Sequence, residues 1–351
     1  MIETFATRLL EWFDKHGRKD LPWQHPRTPY TVWVSEVMLQ QTQVRTVIPY
    51  FEAFMRRFPN VETLAAAPID DVLHRWSGLG YYSRGRNLHL AAKHIVERFG
   101  GEFPRDVQAL ESLPGIGRST AGAIAAMGFG IKAPILDGNV KRVLARHHKV
   151  VGYPGDSAVQ KILWEHAVDH TPEKRVAEYT QAIMDFGATL CVRRNPHCDE
   201  CPVSTTCVAY RDDFVHTLPS SKPKKTIPVS DRRFWLIQRE DGSCLLERRP
   251  TTGLWGGLWS PPERSTAITI ETMKSELGFE LYLAAKSAPN VFTHVFTHLR
   301  MNVLPVCVQA GPAIAVAARD DLLWYHPGDN QSLGLSAVAS RLLNELFGAM
   351  E

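Results

Sequence analysis

The stretch LESLPGIGRSTAGAIAAM, residues 110–127, decides how the first part of the chain folds. Two helical patterns meet there at a four-residue turn, Pro-Gly-Ile-Gly, at positions 114–117. Gly115 and Gly117 let the backbone approach a partner closely and leave the first N–H groups of the next helix pointing outward. Such a hairpin can hold a DNA phosphate without a basic side chain. The alternative is an ordinary turn between two helices.

Helical periodicity extends on both sides of this hairpin, and turn signals rich in glycine and proline separate the segments. No strand-like alternation occurs before about residue 230, so we expect residues 1–217 to be an all-α region. The predicted helices cover residues 3–16, 30–42, 46–57, 61–66, 69–76, 86–99, 106–112, 118–128, 139–148, 157–170 and 173–190.

The composition changes after residue 217. Residues 218–228, LPSSKPKKTIP, contain three prolines and no apolar period, which predicts a linker. Short β-like runs follow, interrupted or flanked by two helical patterns, so residues 229–351 are expected to form a second domain of α+β type. The predicted strands are 233–239, 244–248, 292–298 and 301–308, and the predicted helices are 266–277 and 336–347.

The charge balance says little about partners. The 351 residues carry a net charge of +3, so any binding to a polyanion must come from local geometry. No apolar run reaches the roughly 18 residues of a membrane span, and the first residues carry Glu3, Arg8 and Glu11 where a signal peptide would be apolar. We therefore expect a soluble, cytoplasmic monomer with no membrane partner.

Glu36 is the first candidate catalytic residue. If residues 30–42 are helical, its neighbours one turn away are Val32, Trp33, Leu39 and Gln40, three of which are large and apolar. Such surroundings disfavour the charged carboxylate and raise its pKa, as a general acid working near neutral pH requires. The alternative is a helix that rolls slightly and lets Glu36 reach water.

Asp137 in PILDGNVKRVLAR, residues 134–146, supplies a second carboxylate just before a helix. Taken alone, it is best explained as an N-cap that satisfies the first N–H groups of that helix. Paired with Glu36 it acquires a second interpretation. Cleavage of a glycosidic bond needs an acid for the leaving group and a carboxylate beside the developing oxocarbenium ion.

Four of the six cysteines end the helical region in the spacing C-x6-C-x2-C-x5-C, and their clustering favours metal ligation over disulfides. Four thiolates fit tetrahedral zinc or a 4Fe–4S cluster, and spacing does not choose between them. Arg193 and Arg194, in the loop between the first two cysteines, could contact phosphate or remain solvated. The ligands are Cys191, Cys198, Cys201 and Cys207.

Together these motifs carry a resemblance to a known family. SEVMLQQTQV, GLGYYSRGRN, LPGIGRSTAG and LDGNVKRV, in this order with the cysteine signature, resemble the helix–hairpin–helix, iron–sulfur DNA glycosylases. The similarity is greatest to the A/G-mismatch adenine DNA glycosylases (the MutY family), and it extends over the C-terminal domain. It implies a 4Fe–4S cofactor and duplex DNA with adenine opposite 8-oxoguanine or guanine as the substrate.

The resemblance also implies residue roles. Glu36 would protonate adenine N7, and Asp137 would stabilise the sugar cation or trap it transiently. Gln24 and Gln181 fall where the family contacts the flipped adenine. The residues that fall where the family probes the opposite base and opens the base stack are Gln41, Thr42, Leu79 and Tyr81.

Ser119 separates this branch from its endonuclease III relatives, which resemble it but carry a lysine at that position and form a Schiff base with the sugar. A hydroxyl cannot form an imine, so the sequence predicts a monofunctional glycosylase that leaves an abasic site. The alternatives are a bifunctional glycosylase/lyase and a non-enzymatic iron–sulfur protein that binds DNA.

The second domain retains part of a Nudix box. Gly257 and Glu263 match its spacing, as do Glu276 and Gly278, with Phe279 at an aliphatic position. The positions expected to be Arg, Glu and Glu hold Glu271, Thr272 and Ser275 instead. Two of three Mg²⁺ carboxylates are therefore missing, which argues against the remaining alternative, an active nucleotide-diphosphate hydrolase.

In the resembling family this domain recognises 8-oxoguanine. The segment FTHVFTHLR, residues 292–300, is similar to the family's recognition segment, with Thr297 in place of the usual serine before His298. Without the resemblance, His294 and His298 would be interpreted as two strand histidines. His147 and His148 have no partner at a spacing typical of a metal site, and we expect that pair to lie on the surface.

Overall fold

The computed structural model describes residues 4–222, 226–284, 288–313, 319–329 and 331–348. Their contacts divide the chain into two compact units, residues 1–66 with 87–224 and residues 67–86 with 225–351. The predicted division at residues 217 and 229 stays a prediction, because residues 67–86 share their contacts with the C-terminal part. The central residues 223–225 of the predicted linker lie outside the described residues.

The described part of residues 1–224 contains helices joined by short turns and no strand, as predicted for this part of the chain. The helices are α1 (Phe5–His16), α2 (Pro29–Leu39), α3 (Val44–Arg57), α4 (Val61–Ala66), α5 (Ile69–Trp76), α6 (Ser83–Phe99), α7 (Val107–Glu111), α8 (Arg118–Ala123), α9 (Gly138–His147), α10 (Ser157–His170), α11 (Val176–Thr189) and α12 (Val208–Arg211). A π-helical turn, Ile124–Gly128, continues α8.

The N-terminus of α2 is fixed by its own sequence. Thr28 caps the helix by accepting a hydrogen bond from the Thr31 N–H, Thr31 bonds back to the Thr28 N–H, and Pro29 occupies the first helical position. The helix buries Val32, Trp33 and six further residues, so it is nearly surrounded by protein. An acidic side chain such as that of Glu36 is unusual on a helix with so many buried residues.

The hairpin between α7 and α8 has the predicted form. Gly115 adopts φ +75, and a Cβ built there would lie 2.7 Å from the Cβ of Asn87, so both the conformation and the space require glycine. Gly117 is the N-cap of α8 and has open space in front of it. Ile116 between them is buried and anchors the turn, while both glycines are exposed.

The C-terminal unit is built on an eight-stranded sheet in which the central path runs β3-β2-β1-β7-β5. Strands β1 and β7 pair in parallel over ten residues, and every other pairing is antiparallel. The strands are β1 (Val229–Gln238), β2 (Cys244–Arg248), β3 (Trp259–Ser260), β4 (Glu263–Ser265), β5 (Phe279–Leu283), β6 (Phe292–Val295), β7 (Arg300–Ala313) and β8 (Leu322–Tyr325).

Two helices complete this unit, α13 (Ile270–Leu277) and α14 (Ala337–Phe347), close to their predicted positions. Met273 and Leu277 of α13 pack with Trp235, Leu281 and other sheet residues in one apolar core. The α+β prediction is confirmed. Among the described residues no helix is long and apolar enough to cross a membrane.

The predicted strand 292–298 is too long. The strand ends at Val295, and Phe296 closes a turn into β7 by donating its N–H to the Leu299 carbonyl at 2.8 Å. Thr297 and His298 therefore lie in an exposed turn and not on the sheet.

Candidate active site

Glu36 and Asp137, 101 positions apart in the printed sequence, lie close enough for the charge of one to act on the other. Glu36 lies in the last turn of α2 and is half-buried. Burial, followed by the negative charge of Asp137, raises the pKa of Glu36 to about 8. No hydrogen bond to the Glu36 carboxyl is recorded among the described residues. This carboxyl is therefore protonated near neutral pH.

Asp137 is held rigidly at the N-terminus of α9. It is the N-cap of that helix, as the simpler interpretation predicted, and accepts a hydrogen bond of 2.7 Å from the Val140 N–H. The amide of Asn139 approaches its other oxygen at 3.4 Å. One residue earlier, the Leu136 N–H donates to the Ser119 hydroxyl at 3.0 Å, which ties the segment before Asp137 to α8.

The environments of the two carboxyls decide which of them keeps a proton. Burial raises the pKa of Asp137, but the N–H groups of Val140 and Asn139 and the charges of Arg142 and Lys141 lower it. Glu36 has no compensating contribution of this kind. The pKa of Asp137 is nevertheless raised overall, burial being the largest cause. Its hydrogen bonds and neighbouring positive charges favour the charged form, and those of Glu36 do not, which is the asymmetry that an acid and an electrostatic partner would need.

Gln24 and Gln181 belong to one buried network centred on an ion pair that the sequence did not reveal. Arg18 binds Asp185 through its side chain at 2.6 Å and through its main-chain N–H at 2.8 Å. Gln181 donates to the Asp185 carboxylate at 2.9 Å, and Gln24 donates to the Arg18 carbonyl at 3.0 Å. Both glutamine side chains are thereby held in fixed orientations.

Most of the other DNA-contact candidates of the first unit are exposed. Gln41 has φ +59 in the turn that follows α2, and it is exposed beside half-buried Thr42. Arg193 and Arg194 are exposed in the loop after Cys191. The exposed polar groups, together with the hairpin at Gly115, match what contacts to a DNA backbone require.

Leu79 and Tyr81 lie in the segment that shares its contacts with the C-terminal unit, and their exposures differ. Tyr81 is 44% exposed with φ +44, whereas Leu79 is 6% exposed. Leu79 is thus buried in this structure, and the contact with the base stack stays a prediction. Its burial supports the loop that presents Tyr81.

Thr297 and His298 are backed by a group of aromatic rings. The ring of Phe296 lies 5.1 Å from that of Trp255 and 4.7 Å from that of His294. The alternative interpretation is thus wrong for His298, which is not a strand residue, while His294 does lie on β6. The aromatic rings hold the turn in place, and the turn exposes the hydroxyl of Thr297 and the imidazole of His298 to a partner.

The carboxylates that remain of the Nudix box are engaged by arginines. Glu263 forms an ion pair with Arg249, and Glu276 binds Arg264 at 2.8 Å. Arginine neutralises the charge that would attract a hard cation.

The four cysteines line one cavity, which is otherwise largely apolar. All four are free thiols. Burial first, together with nearby Cys191, Cys207 and Cys198, raises the pKa of Cys201 to about 12, although a backbone hydrogen bond at Val203 lowers it. Free thiols in an apolar pocket can bind a metal as thiolates, so the donor set fits a metal group.

The four free thiols around one cavity fit both metal groups that the sequence left open, tetrahedral zinc and a 4Fe–4S cluster.

Arg146 binds the main chain of the cysteine loop. No sequence motif indicated this role. Its buried guanidinium donates to the carbonyls of Val192 at 2.7 Å and Arg193 at 3.1 Å, and to the Cys191 sulfur at 3.4 Å. A buried cation beside thiolates offsets their negative charge.

The prediction that His147 and His148 lie on the surface is wrong. His147 is 6% exposed and His148 is half-buried, since the C-terminus of α9 packs against α10. The signal that could have found their partners was the spacing of His166 and His170, which places both on one face of a helix.

Comparisons with known proteins agree with this geometry. Residues 34–167 match the family described as HhH-GPD superfamily base excision DNA repair protein. Residues 233–345 match the NUDIX domain family.

Curated relatives cover nearly the whole chain. An adenine DNA glycosylase of Buchnera aphidicola subsp. Baizongia pistaciae is 36% identical over 97% of this chain and 96% of its own length. The adenine DNA glycosylase of Mus musculus is 43% identical over 89% of this chain and 72% of its own length.

Solved structures resemble part of the chain. A thermostable thymine-DNA glycosylase aligns with a TM-score of 0.52 and 28% identity, over 59% of this chain and 95% of its own. An endonuclease III in a non-covalent DNA complex aligns with a TM-score of 0.51 and 22% identity, over 60% and 94%. The second similarity shows a shared fold.

Proposed function

The chain belongs to the adenine DNA glycosylases of the helix–hairpin–helix superfamily, and we propose that it removes adenine paired with 8-oxoguanine or guanine in duplex DNA. It is a DNA N-glycosylase that releases adenine in base excision repair. Beyond this activity, we propose the mispair, the residue roles, the cofactor, a monomeric state and a location at the chromosome in the cytoplasm. The observation that carries the mechanism is the protonated carboxyl of Glu36 beside Asp137.

Glu36 acts as the general acid. An adenine turned out of the helix meets a carboxyl that burial keeps protonated, and the proton passes to N7 of the base. Protonation draws electrons from the N-glycosidic bond, which breaks with both electrons going to adenine. Water then adds to the sugar cation and loses a proton, so an abasic site and free adenine result.

Asp137 acts on the cation that this step creates. Its negative charge faces the sugar while the N-terminus of α9 holds the carboxylate in place. The Ser119 hydroxyl contributes by fixing Leu136 beside it. Because position 119 carries no amine, the enzyme has no imine route there and is monofunctional.

Buried polar groups contact the extruded base, and exposed groups contact the DNA backbone. Gln24 and Gln181, oriented by Arg18 and Asp185, contact the extruded adenine. Gly115, Gly117 and the neighbouring Ser119 border the phosphate site of the hairpin. Phosphate contacts in the cysteine loop come from Arg193 and Arg194.

The opposite base is read by two groups of residues. Gln41, Thr42 and Tyr81 are accessible for the contact with the base left behind. Thr297 and His298 recognise 8-oxoguanine from the exposed turn after β6. A site that hydrogen-bonds a substrate group discriminates against bases that lack it, which would favour 8-oxoguanine over guanine.

The cysteines Cys191, Cys198, Cys201 and Cys207 would hold a 4Fe–4S cluster. The cluster supplies a fixed covalent framework and no step of the base release. Arg146 binds the loop next to these ligands and thereby presents Arg193 and Arg194 to phosphate.

Duplexes that differ only in the base opposite adenine test the proposed substrate. Single-turnover release of adenine is measured with 8-oxoguanine, guanine, cytosine and thymine at that position. We expect the rate to be highest with 8-oxoguanine, lower with guanine and lowest with thymine. Equal rates on all four duplexes would contradict the specificity while leaving adenine removal intact.

A further inference from the structure

Three histidines meet where α9 and α10 end, away from the residues used in catalysis. His147 is the last residue of α9, His148 caps it, and His170 is the last residue of α10. One ring nitrogen from each lies within 4.8 Å of the other two. The Nε2 atoms of His148 and His170 are only 2.7 Å apart.

These rings are neutral at neutral pH. Burial and the neighbouring histidines lower the pKa of His148 to about 3 and that of His147 to about 4. The pKa of His170 is lowered by the same causes, burial first. The Nε2 atoms of His148 and His170 are 2.7 Å apart and both rings are neutral. One of these nitrogens therefore donates its hydrogen, and the other accepts it with its lone pair.

His147 contributes an independent observation. Its side chain is 6% exposed, and its Nδ1 atom is buried with no hydrogen-bond partner recorded. A buried polar atom without a partner costs roughly 1–3 kcal/mol, so its retention calls for an explanation. A metal ion bound through Nδ1 would supply one.

We propose that His147, His148 and His170 form a binding site for a divalent transition-metal ion of the kind that prefers imidazole, with Zn²⁺ as the principal candidate. Neutral imidazole nitrogens suit zinc and do not suit Mg²⁺ or Ca²⁺, which require oxygen. Zinc bonds of about 2.0–2.1 Å place ligand nitrogens about 3.4 Å apart, within reach of small rotations of the rings. Water completes the coordination.

The surroundings hold the ligands in place. The ring of His166 stacks on that of His148 at 3.6 Å with an interplanar angle of 3°. Phe5 covers the site, with ring distances of 4.4 Å to His170 and 4.7 Å to His147. Such packing fixes ring orientation, which raises the affinity of a metal site.

A metal here would join the C-terminus of α9 to that of α10. Arg146, which supports the cysteine loop, is the residue before His147. A ligand that binds only the folded state stabilises it, so zinc would raise the unfolding temperature of this helix pair and of the loop it supports. The inference is independent of the proposed mispair specificity.

The test uses the full chain with its iron content measured, so that the cysteines are known to be occupied. The protein is stripped with a mild chelator, dialysed against Zn²⁺, and assayed for bound zinc and for thermal unfolding. The variants are His148→Gln and His170→Gln. His216→Gln, a change at an exposed histidine outside the cluster, is the matched control.

We expect one zinc ion per chain in the wild type and in His216→Gln, with a higher unfolding temperature when zinc is present. Loss of one of the three ligands should weaken binding by more than the roughly 10- to 100-fold that outer partners contribute. Bound Co²⁺ should show no sulfur-to-metal charge-transfer absorption. Absence of zinc, equal binding in all variants, or cobalt with thiolate absorption would overturn the proposal.

Discussion

The hydroxyl of Ser119 accepts a hydrogen bond of 3.0 Å from the main-chain N–H of Leu136, the residue immediately before Asp137. Position 119, where the sequence resemblance implies a lysine in the endonuclease III proteins, thus takes part in placing the carboxylate that we propose to stabilise the sugar cation. Gly122, one turn further along, makes this possible, because a Cβ there would lie 2.4 Å from the Pro134 carbonyl oxygen. Close packing of α8 on residues 134–136 is therefore built into the sequence.

Replacement of Ser119 tests this contact. Ser119→Ala leaves the Leu136 N–H without its partner, at a cost of roughly 1–3 kcal/mol in the free energy of unfolding. We expect a lower single-turnover rate, because Asp137 loses its fixed position. Denaturant unfolding and adenine release measure the two effects. Unchanged stability and rate would show that the hydrogen bond has no such role.

The pKa of Glu36 predicts a pH dependence of both rate and stability. Because its folded pKa is raised from 4.5 to about 8, the single-turnover rate should fall above about pH 8 as the acid loses its proton. Its contribution to stability is complete below about pH 4.5 and is lost as the pH rises towards 8.

Glu36→Gln provides the comparison for that prediction. The variant cannot ionise at this position, so its free energy of unfolding should exceed that of the wild type increasingly between pH 5 and 8, by on the order of 1–3 kcal/mol. Urea unfolding at several pH values measures the difference. A constant difference across this range would mean that Glu36 has an ordinary pKa.

Phosphate contacts by the cysteine loop predict a change in salt dependence. Arg193→Ala and Arg194→Ala should each weaken binding to all duplexes and reduce the slope of log affinity against log salt by about 1. Arg98→Ala, at an exposed position on α6, is the control. Unchanged slopes in the two loop variants would show that these arginines stay solvated and do not contact phosphate.

The exposed turn after β6 predicts a change in preference. Thr297→Ala and His298→Ala should lower the ratio of excision rates between 8-oxoguanine and guanine mispairs by roughly tenfold, since one or two hydrogen bonds to the oxidised base are lost. His326→Ala, at another exposed histidine of the same unit, should leave the ratio unchanged. Equal losses on both mispairs would mean that the turn does not read the base.

Most helices could be predicted because glycine and proline separate long periodic segments. The hairpin at residues 110–127 and the cysteine loop could also be predicted, because each carries a clear sequence motif. Four strands were not predicted: Trp259–Ser260, Glu263–Ser265, Phe279–Leu283 and Leu322–Tyr325. The first two have only two or three residues, which carry no period. The exposure of Thr297 also depends on where β6 ends, which the alternation of residues 292–298 did not reveal.

Interactions between distant residues account for the rest. The Arg18–Asp185 ion pair joins positions 167 apart and leaves no local signal. The same holds for His148 and His170, separated by 22 positions and brought together by the packing of α9 on α10. The convergence of Glu36 and Asp137 could be predicted only from the chemistry they share.

Single-turnover adenine release by Glu36→Gln, on a duplex with adenine opposite 8-oxoguanine, tests the central claim most directly. Glutamine keeps the size of the side chain but has no proton to give to the base, so DNA binding should remain and the rate should fall by roughly 10²–10⁴-fold. A variant that binds the duplex and releases adenine at the wild-type rate would contradict the assignment of Glu36 as the acid.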